Sequence, residues 1–351
     1  MRLSSTSFVE ASQCLKKYEY HKVLQLVPNP ENMAKVLRRG IWIHSALESY
    51  HKGVSIQKAL EPQIEWALAH GVPEEDVREI CLEVVRIMKG YIAFWQDEPW
   101  EFVCAERQVE VSGGAHTIFG TVDLIVKTRH GKFIVEHKST SHIPDASWRA
   151  VDPQTALQYF ACRQSDDPTI NDVDGILFNY LDTNEPSPPK FKQEDFAPYA
   201  NTAVTTSAAW EAGINTPVTK KVKSKGVTTE VDMGSPVSRA VHDPEYADRL
   251  EGWRQQYVAD GKFYQRYPIY RPDEAVRETL LDVKGTMYNI VKAEELGHYP
   301  RSLHVVNCSR WCQYGPLCVT EYLTGKEAEI VRREEYVIET PEIRAAGRVD
   351  E

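Results

Sequence analysis

Cysteine is scarce in this sequence, and it has neither a long apolar run nor an excess of positive charge. The chain has 351 residues and seven cysteines, too few for a small scaffold held by disulfides. No apolar run approaches the roughly 18 residues of a membrane-spanning helix. The first residues also lack the basic stretch and apolar block of a secretory signal. We therefore expect a soluble cytoplasmic protein, cellular or viral, with no membrane partner.

The charge balance restricts how the chain can bind nucleic acid. Lys and Arg number 41 against 51 Asp and Glu, which gives a formal net charge of −10. A chain this acidic does not attract DNA through its net field, so any DNA binding must use local basic patches and bound cations. Hydrophobic residues make up 42% of the chain, which is enough for a core and excludes global disorder.

The pattern of hydrophobic residues changes near residue 100. The first hundred residues are helical in periodicity, and we predict helices over 7–21 (which includes Cys14), 32–50, 56–70 and 74–95. Residues 101–182 read as a core of strands over 102–111, 116–127, 133–136 and 175–181, with a helix over 153–164. This order predicts an α/β fold in which helices flank a mixed sheet.

A Pro-, Thr-, Ser- and Lys-rich segment over 183–243 follows the predicted core. A connection of this length without regular structure is unusual, so we predict a mobile insertion there. Its Lys220, Lys221, Lys223 and Lys225 could follow a phosphate backbone and Trp210 could stack on a base, although a solvated loop is an equal alternative. We predict helices over 244–266 and 272–295 within a C-terminal region, 244–325, and a charged tail over 326–351.

Two acids and a lysine on neighbouring predicted strands carry the strongest chemical signal. Asp123 ends the segment Gly-Thr-Val-Asp, and Glu136 and Lys138 lie in Val-Glu-His-Lys on the next strand. Strand periodicity places Glu136 and Lys138 on one face. Paired carboxylates suit Mg²⁺ or Mn²⁺, and an ammonium beside such an ion neutralises charge at a phosphate. The alternative is a hairpin with ordinary exposed charges.

The cysteines give the second signal. Cys308, Cys312 and Cys318 lie within eleven residues near the end of the chain, and Cys14 lies near its start. Four thiolates are enough for a closed tetrahedral site, which could hold an iron–sulfur cluster or structural Zn²⁺. Such a site would join the N- and C-terminal segments. The remaining cysteines fit core positions and receive no function.

These two strand motifs together resemble the PD-(D/E)XK nuclease superfamily, and particularly its RecB-like branch. The segment from Arg39 to Glu48 resembles the early helical motif of that branch, and the resemblance implies that its His44 joins the metal site. A lone histidine in an apolar helix is otherwise more often a core residue. Glu106, on the strand before Asp123, could supply a further acid or be a solvated charge.

The helix after the active strands extends this resemblance. Gln154 and Tyr159, in the segment Gln154-Thr-Ala-Leu-Gln158-Tyr159, resemble the Gln/Tyr helix that lines the substrate side in the RecB-like branch. They are five residues apart where the branch has four, so Gln158 is an alternative to Gln154. The cysteine arrangement is similar to the [4Fe–4S] site of AddB-type and CRISPR-associated exonucleases. The late cysteines here have three residues between the first two, where many relatives have two.

The resemblance implies a fold and an activity. The fold is restriction-endonuclease-like, with the chain ends joined at the cysteine site. The activity is a metal-dependent deoxyribonuclease, an exonuclease on single-stranded DNA ends that serves recombination or repair and works with a helicase, recombinase or integration complex. Endonuclease activity remains open. One alternative is a non-catalytic iron–sulfur subunit that binds DNA, and another is a phosphoesterase acting on small nucleotides.

Overall fold

A computed structural model describes residues 2–98, 100–113, 116–184, 186–224, 227–302, 308, 312–325, 327–340 and 343. The strands are β1 (Arg2–Ser4), β2 (Leu26–Pro28), β3 (Glu101–Gly113), β4 (His116–Thr128), β5 (Gly131–Thr140), β6 (Gly175–Asp182), β7 (Thr219–Ser224), β8 (Val227–Asp232), β9 (Tyr264–Ile269) and β10 (Tyr336–Ile338). Six of them form the central sheet, and β2 with β10 and β7 with β8 form two-stranded sheets.

The helices surround this sheet. They are α1 (Ser5–Gln13), α2 (Leu15–Tyr18), α3 (Lys35–His51), α4 (Ile56–Ala69), α5 (Glu74–Trp95), α6 (Pro153–Arg163), α7 (Ser207–Asn215), α8 (Pro236–Ala240), α9 (Pro244–Tyr257), α10 (Asp273–Leu296), α11 (Gly315–Thr324) and α12 (Ala328–Glu335). Shorter helical turns are the π turn Glu19–Val23 and the 3₁₀ turns Pro30–Asn32, Ala146–Val151 and Asp260–Lys262. No helix in the described ranges is both long and apolar enough to cross a membrane.

The sheet is mixed, as predicted. β3 pairs antiparallel along the whole of β4, so β1 and β5 must share the other edge of β4. β1 runs parallel to the first part of β4, and β5 runs antiparallel to its last part. β6 then pairs parallel to β5, and β9 pairs antiparallel to β6. This mixed sheet flanked by helices fits a PD-(D/E)XK nuclease core.

Alternation along β6 separates two layers of helices. Ile176, Phe178 and Tyr180 are buried in the apolar cluster that includes Tyr159 of α6. Leu181 instead belongs to the cluster formed by α3, α4 and α5. Because successive strand residues point to opposite faces, α6 covers one face of the sheet at β6 and α3–α5 cover the other.

Local sequence sets where α6 begins. Asp152 is its N-cap, and the Asp152 side chain accepts a hydrogen bond from the backbone N–H of Thr155 at 3.1 Å. Pro153 follows at the first helical position, where its missing N–H costs no hydrogen bond. These two residues set the start of α6 and place Gln154 on its first turn.

Two predicted helix limits are wrong. The helix predicted over 7–21 is interrupted at Cys14, whose φ of −163° and ψ of 113° are extended and separate α1 from α2. The helix predicted over 244–266 ends at Tyr257, and Tyr264–Ile269 forms β9 instead. Pairing with β6 and packing of Tyr264 against α5 outweigh the local pattern there, since the Tyr264 hydroxyl donates to the Ile87 carbonyl at 3.3 Å.

The segment over 183–243 is not structureless. It contains α7, α8 and the β7–β8 hairpin, and together with α9 it builds its own apolar cluster. Trp210 lies in that cluster and is fully buried, so the expectation that it stacks on a base is wrong. Lys220 and Lys221 are exposed, and Lys221 lies 3.7 Å from Glu230 across the hairpin. Lys225 lies outside the described residues, and the mobility of the segment stays a prediction.

The predicted charged tail is in part ordered structure. α12 occupies its first residues, and β10 pairs antiparallel with β2 near the N-terminus. Tyr336 of β10 is buried with Tyr20 and Tyr314 in one cluster. The amphipathic pattern of α12 is too short to be distinguished from a solvated charged run by sequence alone. These contacts bring both ends of the chain together.

Candidate active site and cysteine-lined cavity

A gap in the strand ladder defines the candidate active site. On one edge of β4, pairing with β1 ends at Phe119 and pairing with β5 begins at Leu124. The residues between them are Gly120, Thr121, Val122 and Asp123. Asp123 is therefore the first residue of β4 beyond the β5 ladder. Glu136 has the same position on β5, because Leu124 pairs with Val135.

The two acids are buried at this gap beside two basic side chains. Asp123 is 3% exposed and Glu136 is 0% exposed. The Lys138 ammonium lies 2.5 Å from one Glu136 carboxylate oxygen, and His44 Nδ1 lies 3.5 Å from Asp123 Oδ2. The same Asp123 oxygen accepts a hydrogen bond from the His137 backbone N–H at 2.9 Å, which fixes the carboxylate across the gap. The structure thus brings Asp123, Glu136, Lys138 and His44 to one place.

A row of aromatic rings lies behind His44 and Asp123. The rings of His44 and His137 meet edge to face with centroids 6.1 Å apart, and His137 stacks on His51 at 5.6 Å. Burial lowers the pKa of His51 to about 4 and lowers the pKa of His137 well below its ordinary value. Both rings are therefore neutral at pH 7, so they pack behind the site without cancelling its acidic charge.

Side chains from two helices bridge the gap in the ladder. Gln158 of α6 is buried, and its amide Nε2 donates to the Thr121 carbonyl at 2.7 Å. Gly120 lies against α1, where a Cβ atom would stand 2.8 Å from the Ser5 hydroxyl oxygen and 3.5 Å from Gln158 Cγ. Glycine is required by this close approach, and the Gln158 contact holds the strand segment that carries Asp123.

The other predicted site residues lie around this gap. Gln154 is half-buried on the first turn of α6. Tyr159 is buried in the apolar cluster under the sheet, and its hydroxyl accepts from Arg163 at 2.9 Å. Glu106 is exposed on β3 opposite Asp123 and has a φ of 50°, an uncommon conformation for a residue with a side chain. Their roles stay predictions.

The donor chemistry at the gap fits a hard divalent cation. No group of three or more His, Cys, Asp or Glu side chains within the described ranges is arranged to hold a metal ion. Two buried carboxylates nevertheless face the same gap, and carboxylate oxygens are the ligands that Mg²⁺ and Mn²⁺ prefer. Asp123 and Glu136 are the residues that would hold such an ion, and His44 is near enough to join them.

The four predicted cysteine ligands line one cavity of about 750 Å³ between the chain ends. They are Cys14, Cys308, Cys312 and Cys318, and all are free, half-buried thiols. Arg301 Nε lies 3.3 Å from the Cys318 sulfur. Lys16 and Lys17 also line the cavity. Metal-bound thiolates carry negative charge, which cationic groups of this kind would balance.

Burial opposes thiolate formation at Cys312. Burial raises the pKa of Cys312, and the neighbouring Cys14 and Cys308 raise it further. Three of the four thiols are thus close enough to affect one another electrostatically. Sulfur donors suit iron–sulfur clusters or Zn²⁺, so the residue set fits such a group by its chemistry.

Several residues of the site escape sequence reasoning. Gln158 was part of a recognised motif, but its contact with Thr121 depends on how α6 packs. His137 lies between Glu136 and Lys138, and its buried ring accepts a hydrogen bond at Nδ1 from the Asn179 amide nitrogen at 2.8 Å. The i, i+7 spacing of His44 and His51 on one helix face was a usable signal for the aromatic row.

The chain was compared with families of known proteins and with curated proteins. The model of the PD-(D/E)XK nuclease superfamily matches residues 2–319, which covers the sheet, the gap with its acids and the cysteine residues up to Cys318. No curated protein matches the chain. Members of this superfamily hydrolyse phosphodiester bonds and typically use Mg²⁺ or Mn²⁺. With this match over most of its length, the chain belongs to the PD-(D/E)XK nuclease superfamily.

Proposed function

We propose that the protein is a metal-dependent deoxyribonuclease of the RecB-like branch that removes nucleotides from single-stranded DNA ends during recombination or repair. The observation that carries this proposal is the contact of His44 with Asp123 at 3.5 Å, beside the Glu136–Lys138 pair. His44 comes from a helix about 80 residues earlier in the chain. An ordinary surface hairpin would not bury both acids against a distant imidazole.

The residues of the gap divide the chemistry among them. Asp123 and Glu136 would hold the divalent ion, and the His137 N–H fixes the orientation of the Asp123 carboxylate. When bound, the ion supplies positive charge for the phosphate and makes water more acidic. The Lys138 ammonium, already placed by Glu136, stabilises negative charge that develops on the phosphate or orients the attacking water.

Three further residues would complete the site. His44 would act as an additional metal ligand, because its ring nitrogen faces the Asp123 carboxylate. Glu106 lies on the strand beside Asp123, and its strained backbone is typical of functional positions. Gln154, on the first turn of α6, would position the nucleic acid, and Tyr159 of the same helix would anchor α6 in the apolar cluster under the sheet.

Cleavage of end-labelled single-stranded DNA tests this function. Wild-type protein is compared with Glu136→Gln, which keeps the shape of the buried side chain and removes its charge, and with the exposed control Glu110→Gln. We expect cleavage that requires Mg²⁺ or Mn²⁺, survives in the control and is lost in Glu136→Gln. Labels at the 5′ and 3′ ends report polarity. Absence of cleavage by wild-type protein under all metal conditions would reject the nuclease and favour a non-catalytic DNA-binding subunit.

We also propose that the four cysteines hold a [4Fe–4S] cluster joining the two ends of the chain. The support is that the four thiols line one cavity between the α1–α2 segment and α11, with Cys318 on α11 itself. A cross-link between Cys14 and the late cysteines closes a loop of about 300 residues. Metal analysis and the absorption spectrum of anaerobically purified protein test this. Detection of zinc without iron would mean that the cysteines form a Zn²⁺ site and not an iron–sulfur cluster.

We also propose that the protein works within a larger complex. The net charge of −10 opposes unassisted capture of DNA, so a helicase, recombinase or integration complex would deliver the strand. Size-exclusion chromatography coupled to a processivity assay tests this. A partner-free monomer that degrades long single strands processively would contradict it.

A further inference from the structure

A short turn beside the active site displays apolar side chains that the proposed chemistry does not use. It is the 3₁₀ turn Ala146–Val151, which lies between the end of β5 and the start of α6. Trp148 and Val151 are each 74% exposed. Residues three apart on a 3₁₀ helix eclipse each other, so these two side chains form one apolar surface. An exposed apolar surface of this kind can bind a partner when the backbone below it is held in place.

The backbone of this turn is held by a buried arginine. Arg271 is 6% exposed, and its guanidinium donates to the carbonyls of Ala150 at 2.5 Å and Arg149 at 3.1 Å. It also donates to the Asp152 carbonyl and the Thr155 hydroxyl, both at 2.9 Å. Four hydrogen bonds from one buried cation fix the turn relative to α6. Trp148 is therefore presented from a rigid support.

The residue next to Trp148 reaches the face of the sheet that carries the catalytic pair. Arg149 Nε donates to the Tyr180 hydroxyl at 2.6 Å, and its guanidinium carbon lies 5.5 Å from the Phe178 ring centroid. In the β5–β6 register, Phe178 pairs with Glu136 and Tyr180 pairs with Lys138. Paired residues of neighbouring strands point to the same face about 4.8 Å apart, so Arg149 lies over the strand beside Glu136 and Lys138.

We propose that the Ala146–Val151 turn is a platform for the DNA strand, in which Trp148 stacks on an unpaired base and Arg149 binds the phosphate next to the scissile one. The proposal rests on the nuclease function and deepens it by naming the feature of the substrate that is recognised. A guanidinium suits a phosphate. Arg149 already has an anionic partner in Asp152 at 3.3 Å, and a phosphate would either replace this carboxylate or bind the guanidinium alongside it. Stacking on an indole needs a base that is free of its complementary strand.

The platform gives the acidic protein a local means of holding single strands. The Arg149 guanidinium lies over the strand next to Lys138. The Trp148 ring can stack on any base, because every base has a flat face. We therefore expect the platform to bind DNA without sequence preference and to bind single strands more strongly than duplexes. Loss of the platform should weaken substrate binding more than it slows the chemical step. Trp148 and Arg149 are in this view positioning residues for the substrate strand.

Binding of a fluorescent oligothymidylate tests the two roles separately. All variants carry Glu136→Gln to prevent cleavage, and anisotropy is measured over a range of salt concentrations. We expect Trp148→Ala to weaken binding by about 10-fold with an unchanged salt dependence, and Trp148→Tyr to recover most of the affinity. Arg149→Gln should weaken binding and also reduce the salt dependence by about one phosphate contact. The control is Tyr288→Ala, an aromatic residue 63% exposed on α10.

Abasic substrates locate the stacked base. One base is removed at each position of the oligonucleotide in turn, and affinity is measured for the parent and for Trp148→Ala. We expect one position at which the abasic substitution weakens the parent but no longer affects Trp148→Ala. Equal effects of every abasic position on both proteins would overturn the stacking role, as would unchanged binding by Trp148→Ala.

Cleavage by proteins with Glu136 intact separates this inference from the nuclease function. Trp148→Ala should raise KM for single-stranded substrate about 10-fold and leave kcat nearly unchanged, because stacking acts equally before and during the reaction. Normal cleavage with no change in KM would reject the platform and leave the nuclease standing. Absence of cleavage by wild-type protein, with binding still dependent on Trp148, would reject the nuclease and leave the platform standing.

Discussion

The acid gap and the cysteine cavity are both candidate metal sites, yet they are assembled in opposite ways. Asp123, Glu136 and Lys138 come from one hairpin, and the end of its strand ladder sets their positions. The four cysteines come from opposite ends of the chain, and only packing of the termini brings them to one cavity. The first arrangement is fixed by backbone hydrogen bonds and the second by tertiary contacts.

This difference predicts different consequences of damage. A change at the gap leaves the sheet register intact, so its main effect should be on cleavage. A change at the cavity removes a connection between chain ends, so its main effect should be on stability, with cleavage affected as a result. Variants at the two sites should therefore separate along these two measurements.

The largest expected effect is that of Lys138→Ala on cleavage. Removing an ammonium that stabilises charge on the phosphate should lower kcat by roughly 10²–10⁴-fold. Stability should be affected more moderately. Without metal, the free energy of unfolding should fall by about 1–3 kcal/mol, because fully buried Glu136 loses its cationic neighbour. Mg²⁺ should restore part of that stability by replacing the lost positive charge. Steady-state cleavage and urea unfolding with and without Mg²⁺ measure both quantities.

Lys127→Ala is the matched control for this variant. Lys127 is an exposed lysine on β4 whose ammonium lies 3.6 Å from Glu101 at the surface. Its loss should change neither cleavage nor stability measurably. A Lys138→Ala protein as active as this control would place the catalytic site elsewhere.

Cys312→Ala should show the reverse pattern. If the cavity holds a cluster, its loss removes a cross-link over about 300 residues, which the chain-entropy estimate values at roughly 5 kcal/mol. We expect loss of bound metal and of several kcal/mol in the free energy of unfolding. Metal content and denaturant unfolding check this. Cys81→Ala, another half-buried cysteine, should keep the metal. If Cys312→Ala cost only about 1 kcal/mol, the amount expected for a thiol without a ligand, the metal connection would be refuted.

Sequence reasoning predicted the two strands that border the gap better than the regions around them, for a physical reason. Strand alternation and a short turn are local properties, so the strands that carry Asp123 and Glu136 could be predicted from their own residues, and the mixed sheet is confirmed. The helix predicted across 244–266 contained β9, because edge pairing with β6 is a non-local interaction. Burial of Trp210 likewise depends on partners distant in the chain, including Tyr246.

The details of the candidate site show the same limit. Residue types identified the acids, the lysine and the cysteines, but no local pattern indicates that the Gln158 amide reaches the Thr121 carbonyl. The extended residue at Cys14 also broke a helix that periodicity predicted to be continuous. Side-chain identity can be read from sequence, whereas the bridging contacts depend on how helices pack on the sheet.

Gly120→Ala tests the physical connection between the two sites. Gly120 lies three residues before Asp123 on β4, and Ser5 begins α1, which ends at Gln13 immediately before Cys14. A new Cβ would stand 2.8 Å from the Ser5 hydroxyl oxygen, so either the Ser5 side chain must turn away or α1 must shift from the sheet. We expect a loss of about 1–3 kcal/mol in the free energy of unfolding, and a moderate decrease in cleavage, measured by urea unfolding and steady-state assays.

Ser5→Ala provides the compensating change for that variant. It removes the hydroxyl oxygen of the closest contact and leaves Ser5 Cβ, which lies 3.4 Å from the added atom. The double variant should recover part of the stability lost by Gly120→Ala, giving a favourable interaction energy of about 0.5–1 kcal/mol. Strict additivity of the two changes would show that contact with α1 is not the source of the strain.

The smallest expected effect on stability is that of Arg301→Gln. This variant tests whether the cysteine cavity does more than connect the chain ends. Arg301 Nε lies 3.3 Å from the Cys318 sulfur, and the guanidinium also lies 3.6 Å from partly exposed Glu321. Losing such an ion pair should cost about 0.5 kcal/mol or less.

Hydrogen bonds to ligand sulfurs raise the reduction potential of an iron–sulfur cluster, because they stabilise its more negative reduced form. Protein-film voltammetry of Arg301→Gln should therefore show a lower potential with stability almost unchanged, and Arg301→Lys should fall between the two. An identical potential in all three proteins would mean that Arg301 does not contact the cluster, and the cavity would then differ from the acid gap in having a purely mechanical role.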